Sequence, residues 1–251
     1  MITATRTQAS LWHVPRHRRI PDRASDDRKT RDPPSYPLSA NPYNRPVNVW
    51  RDRLNRWLLP VARRTPLSPN AITLLALAIN LGGAACLALG GRRPPLFLVA
   101  IVFIAVGGLA DALDGIVARA KNLSSRYGDF LDHSADRVSD TAVAACWLAG
   151  NGVREWLLIA AIILIMLNGY LGTQIEATWR ERSYETVGRG EFVLALIVFP
   201  IVSYIAFTNG WASLHFATFT IAEWLALLMS AFALLGVVQR LALARRLERA
   251  P

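Results

Sequence analysis

The chain has 251 residues, 53% of them hydrophobic and 18% charged, with a formal net charge of +10. The apolar fraction lies above that of soluble globular domains and the charged fraction below it, which excludes a disordered chain and an ordinary soluble basic domain. Two cysteines are too few for a disulfide framework.

The charge is unevenly placed. Residues 1–64 hold 14 of the 28 Lys and Arg but only 5 of the 18 Asp and Glu, so the rest of the chain is close to neutral. In residues 1–48, Arg16, Arg18, Arg19, Arg23 and Arg28 alternate with Pro33, Pro34, Pro37 and Pro42, and large aliphatics are few. Such a stretch cannot offset its chain entropy by burial and reads as a basic, largely disordered tail. It has no apolar core of a secretory signal. A solvated extension or a contact with anionic headgroups suits it better than nucleic-acid binding, which is not expected.

From residue 49 the pattern turns helical. Trp50, Leu54, Trp57, Leu58 and Val61 fall on one helix face, while Arg51, Asp52, Arg53 and Arg56 fall elsewhere. Trp and Arg on an amphipathic helix over 49–64 suit the membrane interface. Apolar runs follow at 71–90, 96–110, 141–150 (extending back in helical register through Asp132), 156–175, 192–207 and 211–238. A bilayer core takes about 20 helical residues. With the polar ends counted into the helices, 65–246 reads as about six transmembrane helices, and 247–251 as a short tail. The expected fold is all-α, an integral membrane protein with an N-terminal interfacial amphipathic helix.

Basic residues in the connections set the orientation. The N-terminal region, Arg119/Lys121/Arg126, Arg180/Arg182/Arg189 and Arg240/Arg245/Arg246/Arg249 fall on one side, and Arg92/Arg93 and Arg154 on the other. A multi-pass protein of the cell membrane is expected, with both termini and the loops near 119–128 and 180–190 cytoplasmic.

Carboxylates at membrane depth are costly and therefore functional candidates. Asp111 and Asp114 close the second run at spacing i, i+3. Asp129, Asp132, Asp136 and Asp140 open the third, the last three sharing a face. Carboxylates so gathered repel and protonate unless cations hold them. His133 falls on a different face, and an all-oxygen donor set suits Mg²⁺ or Mn²⁺, which complete their shells with substrate phosphates. Gly115 and Ala118 leave the helix surface open, Arg119 can pair with phosphate, and Gly128 can admit a bulky ligand. Helix capping and pairing with Arg119, Arg126 and Arg137 would explain Asp129, but not two in-phase pairs.

These residues, Asp111-x-x-Asp114-Gly115-x-x-Ala118-Arg119, then Gly128, Asp132 and Asp136, have eight fixed positions over 26 residues. They resemble in full the signature of the CDP-alcohol phosphotransferase family, class I. Pro69-Asn70-x-x-Thr73 is similar to the family's segment at the start of its first helix. The resemblance implies that Asp111, Asp114, Asp132 and Asp136 hold two divalent cations, Mg²⁺ or Mn²⁺, and that Asp136 is the base for the acceptor alcohol. Gly115, Ala118, Arg119 and Gly128 would line the CDP pocket, with Asn70 and Thr73 as further contacts. The implied reaction of phospholipid biosynthesis moves a phosphatidyl-type group from a CDP-linked lipid, such as CDP-diacylglycerol, to an alcohol and releases CMP. Family members commonly dimerise, and Gly/Ala-rich helix faces permit a homodimer.

The acceptor is less defined. Where inositol-phosphate-using members carry Lys and Arg on the fourth helix, this chain has Gly172 and Gln174. That departure counts against inositol phosphate and leaves glycerol phosphate, another polyol and an amino alcohol open. Gln174, Arg180, Arg182, Arg189 and Glu191 are the candidate acceptor contacts. Two other classes also use such carboxylates. A membrane prenyltransferase would need two Asp-rich motifs on distant helices, and a cation transporter gives no reason for Gly115, Ala118 and Arg119. Cys86 and Cys146 read as packing residues, and Glu223 as an intramembrane charge without an evident partner.

Overall fold

The computed structural model describes residues 45–179 and 189–249, the side chains of 45–52 and 189–194 excepted. The helices in chain order are α1 (Arg45–Arg64), α2 (Pro69–Gly90), α3 (Pro95–Ala120), α4 (Arg126–Gly150), α5 (Glu155–Trp179), α6 (Arg189–Thr208) and α7 (Ile221–Glu248). A two-residue hairpin, β1 (His215–Phe216) paired antiparallel with β2 (Phe219–Thr220), leads into α7. The fold is all-α apart from that hairpin, as the apolar runs imply.

Local chemistry starts the helices where they start. Ser68 caps α2, accepting from the Ala71 amide, with Pro69 in the first turn where a missing N–H costs nothing. Ser125 caps α4 by accepting from the Gly128 amide at 3.0 Å. Thr220 and Glu223 form a reciprocal capping box at the start of α7. Four helices, α2, α3, α5 and α7, are long and apolar enough on their own to cross a membrane. In α4 the aspartates of the first half dilute the apolar character, and in α6 the described apolar part is Ala195–Thr208.

The bundle is organised by pairs. α2 packs on α3 and α4, α5 on α7, and α3–α6 and α4–α5 contacts join the two groups. The main core runs through all six helices α2–α7, with Leu87, Phe97, Leu148, Leu157 and Ala226 at its centre. Gly150 lets α4 approach α2 so closely that any Cβ there would strike the Leu87 carbonyl. Small residues at helix crossings supply the van der Waals contact on which packing within lipid depends. A second, smaller cluster joins Leu58 and Ala62 of α1 to Ile72 of α2 and to Ile116 and Val117 of α3. Large apolar side chains such as Val102, Ile159 and Ile163 remain exposed on the outer surface, where lipid, not water, is their natural neighbour. The α1–α3 contact and the α3–α4 connection place the carboxylates at one end of the bundle.

Candidate active site

Asp111 and Asp114 lie in the last turns of α3, and Asp132 lies in the second turn of α4. The α3–α4 connection turns back within a few residues, through Asn122 at φ 55°, and this brings the two helix ends together. Carboxylate oxygens of Asp111, Asp114 and Asp132 all lie within 4.8 Å of one another. Asp136 stands one turn further along α4, outside that trio, but it and Asp132 are close enough for their charges to act on Asp114.

Asp114 is buried to 6% exposure, and its Oδ2 accepts a hydrogen bond from Thr73 Oγ1 at 2.5 Å. The same hydroxyl reaches the Pro69 carbonyl at 3.1 Å, which ties the carboxylate to the first turn of α2. Three converging carboxylates, one of them buried, with oxygen as the only donor type, fit a hard divalent cation. The trio is therefore a fitting metal site for Mg²⁺ or Mn²⁺ on its donor chemistry alone.

The residues expected to line a CDP pocket come to the same end of the bundle as this trio, and Thr73 touches it directly. A Cβ on Gly115 would meet the Arg119 guanidinium at 3.3 Å, so Arg119, one turn on, folds back across the open face of Gly115. A Cβ on Gly128 would meet Asn70 Oδ1 at 3.4 Å, which places the start of α4 against the start of α2. Asn70, Thr73, Gly115, Arg119 and Gly128 thus come from three helices to one end of the bundle, with Ala118 half-buried on the same α3 segment. Lys121 donates to the Thr65 carbonyl and fastens the connection between α1 and α2 to the same corner. Beside it, Trp57, Leu58 and Val61 of α1 and Val106, Leu109, Ala110 and Leu113 of α3 line an apolar groove of roughly 550 Å³. Ala110 and Leu113 immediately precede Asp111 and Asp114, so the groove opens next to the carboxylates.

On the α5 side the structure adds residues that the spacing did not single out for this site. Arg137 Nη2 lies 3.7 Å from Asp136 Oδ2 and 3.6 Å from Asp140 Oδ2. His133 Nε2 is 3.6 Å from Glu176 Oε2, and its Nδ1 is 4.0 Å from Asp132 Oδ2, a chain that connects the trio to α5. Arg240 of α7 donates to both the backbone and the side-chain oxygen of Asn168 and lies across Gly172, whose Cβ would meet its Nε at 3.1 Å. Arg240 is near enough to Arg137 for their like charges to interact. The one sequence signal for this group is Asn168, a polar residue inside the apolar run 156–175; Arg240 follows the end of the run 211–238.

Of the expected acceptor contacts, Gln174 is exposed on α5. Arg180 and Arg182, and the side chains of Arg189 and Glu191, lie outside the described residues. Glu223 does have a partner. Its Oε1 accepts from Arg154 Nε at 2.6 Å and its Oε2 from Arg154 Nη2 at 3.1 Å, at the far end of the bundle.

Known proteins resemble this chain in sequence and in fold. The family profile described as CDP-alcohol phosphatidyltransferase matches residues 66–232. The phosphatidylinositol phosphate synthase of Mycobacterium marinum is 32% identical over 123 residues, which is 47% of this chain and 51% of the relative, so the match spans about half of that protein. The archaetidylinositol phosphate synthase of Methanothermobacter thermautotrophicus is 25% identical over 159 residues, or 63% of this chain and 79% of the relative. Among solved structures, the Mycobacterium tuberculosis phosphatidylinositol phosphate synthase in complex with manganese and citrate is similar at a TM-score of 0.58 and 23% identity, covering 77% of this chain and 90% of that one. The same enzyme with CDP-DAG bound gives a TM-score of 0.57 at 24% identity, over 74% and 92% of the two chains. At these identities the structural likeness speaks for the fold.

Proposed function

This chain belongs to the CDP-alcohol phosphatidyltransferase family, and from that premise we propose that it transfers a phosphatidyl group from CDP-diacylglycerol to a phosphorylated alcohol with release of CMP. The observation that carries the reading is the convergence of the Asp111, Asp114 and Asp132 carboxylate oxygens to within 4.8 Å of one another inside the complete family signature. A relative's complexes with manganese and with CDP-DAG support the metal and the lipid donor.

Asp111, Asp114 and Asp132 would hold the divalent metal, with Asp136 completing a two-ion set. When bound, the metal supplies neutralising charge for the diphosphate and for the oxygen that leaves with CMP. Arg119, folded across Gly115, pairs with diphosphate oxygens. Asn70 and Gly128 face the cytidine side, and the groove between α1 and α3 takes the acyl chains.

Asp136 accepts the proton of the acceptor hydroxyl. The freed oxygen bonds to the lipid-side phosphorus as the bond to the CMP oxygen breaks, and CMP departs with that electron pair. A carboxylate is a weak base, so its contribution depends on being held within reach of the hydroxyl. Arg240, lying across Gly172 beside Arg137, is a cation for the acceptor's phosphate. The curated relatives named as phosphatidylinositol phosphate and archaetidylinositol phosphate synthases favour inositol phosphate as acceptor, despite Gly172 and Gln174. The site faces the cytoplasm by the distribution of basic connections.

Purified protein given CDP-diacylglycerol, Mn²⁺ or Mg²⁺, and a panel of inositol phosphate, glycerol phosphate, inositol and ethanolamine tests the proposal. CMP release with a phosphorylated polyol, and a lipid product of the matching mass, is expected. Asp136→Asn should keep CDP-lipid binding and the ion held by Asp111, Asp114 and Asp132, and lose transfer. No CMP release with any acceptor, or full activity in Asp136→Asn, would overturn the reaction or the base respectively.

A further inference from the structure

The signature ends at Asp136, and the next residue is packed between α4 and α5. Arg137 follows Asp136 on α4 and so leaves the helix on the adjacent face, toward α5. There it meets Gly169, which is buried; a Cβ at that position would collide with Arg137 Nη1 and stand 2.9 Å from its Cζ. The guanidinium therefore occupies the space that a side chain on α5 would take. Its Nη2 faces two carboxylates, Asp136 at 3.7 Å and Asp140 at 3.6 Å. Its Nε is buried and has no hydrogen-bond acceptor among the described residues. Arg240 approaches from α7, held by Asn168, and its like charge opposes movement of Arg137 in that direction.

A buried donor without an acceptor is a cost that packing alone does not explain. What the arrangement achieves is restraint. Asp140 and Asp136 are a helical turn apart, and one planar guanidinium faces both, so the Asp136 carboxylate has a fixed neighbour on its α5 side. Gly169 limits how far that neighbour can withdraw. We infer that Arg137, seated on Gly169 and shared between Asp136 and Asp140, is a positioning residue that fixes the Asp136 carboxylate for proton transfer, and that Gly169 is required as its seat. This rests on Asp136 being the base, as proposed above.

Placement of a catalytic group matters steeply, since a displacement of about 1 Å can cost about 100-fold in rate. Arg137 acts on Asp136 and not on the donor lipid, so its loss should fall on kcat.

The test uses the full chain in detergent or lipid nanodiscs, with Mn²⁺, CDP-diacylglycerol and the acceptor that supports CMP release. Arg137→Gln and Gly169→Ala are each expected to lower kcat by about 10- to 100-fold, with KM for CDP-diacylglycerol and Mn²⁺ affinity within about twofold of wild type. Arg137→Lys should recover part of the loss in Arg137→Gln. The double variant Arg137→Gln/Gly169→Ala should be no worse than Arg137→Gln, because both changes remove one restraint. Independent, multiplying losses in the double variant would overturn the inference. So would losses that appear in KM or metal affinity and leave kcat intact, or wild-type kcat in both single variants. If Gly169→Ala does not fold, the Arg137→Gln and Arg137→Lys pair decides the matter on the same kcat criterion. Asp136→Asn runs alongside: activity there overturns the base assignment itself, whereas an inactive Asp136→Asn beside normal Arg137 and Gly169 variants overturns only the positioning role.

Discussion

Asp114 and Glu223 are comparably buried, at 6% and 3% exposure, at the two ends of the bundle. Asp114 lies beside Asp132 in the second turn of α4, and Arg154, the partner of Glu223, follows the other end of that helix. Around Glu223 the charge is matched. Arg154 donates to both carboxylate oxygens, and the Thr220 amide donates to Oε2 at 2.9 Å. Arg154 in turn donates to the Thr218 carbonyl at 2.9 Å and sits 4.6 Å from the centre of the Phe219 ring. Asp114 has instead a hydroxyl from Thr73 and, beside it, further acids. One acid is surrounded by donors and a cation supplied by the chain itself. The other is held among like charges, an arrangement that makes sense when a cation is brought from outside. Burial alone does not separate structural from functional carboxylates; the sign of the neighbouring groups does.

The contrast can be broken by substitutions at each end. The largest effect is expected for Asp132→Asn, which removes one of three clustered oxygens: CMP release should fall by at least about 1000-fold, while thermal unfolding of the metal-free protein is unchanged or raised because repulsion is relieved. Chelation should reproduce the loss in wild type, with activity restored by Mn²⁺, whereas a chelator leaves the Arg154–Glu223 end unaffected. Thr73→Val is the next step down. It keeps the shape and removes the hydroxyl from Asp114, and metal affinity should drop about 10- to 100-fold, with kcat largely recovered at saturating metal. At the opposite end, Glu223→Gln should cost about 2 kcal/mol of stability, below the range for a fully buried pair because Arg154 is 44% exposed. That appears as a lower unfolding midpoint with unchanged kcat and metal affinity. A Glu223→Gln protein that folds normally but loses metal-dependent transfer would erase the distinction between the two ends.

The carboxylate end was legible in the sequence because its information is local. Spacings of three and four residues on α3 and α4 put Asp111 with Asp114 and Asp132 with Asp136 on shared helix faces, whatever the rest of the chain does. Ser68 and Ser125 mark helix starts in the same local way. Glu223 could not be assigned a partner, because Arg154 is 69 positions away and no periodicity links the two. The Arg240–Asn168 pair, 72 positions apart, was hidden for the same reason. Helices apolar on all sides carry no amphipathic phase to show which face turns inward, since the outer face meets lipid. Gly169 and Gly172 were therefore readable only as small residues, not as the surfaces on which Arg137 and Arg240 rest. The Arg137–Gly169 and Arg240–Gly172 contacts lie between helices, which is why they emerged only with the fold.

If the Asp111, Asp114 and Asp132 end is a divalent-metal site serving transfer, Mn²⁺ binding and CMP release both depend on Asp114. Titration of Mn²⁺ into wild type and Asp114→Asn, followed by the free-ion electron paramagnetic resonance signal, tests it most directly, with CMP release measured on the same samples. Wild type is expected to bind Mn²⁺, and the variant to lose binding and CMP release together. Mn²⁺ binding and CMP release that survive unchanged in Asp114→Asn would contradict it.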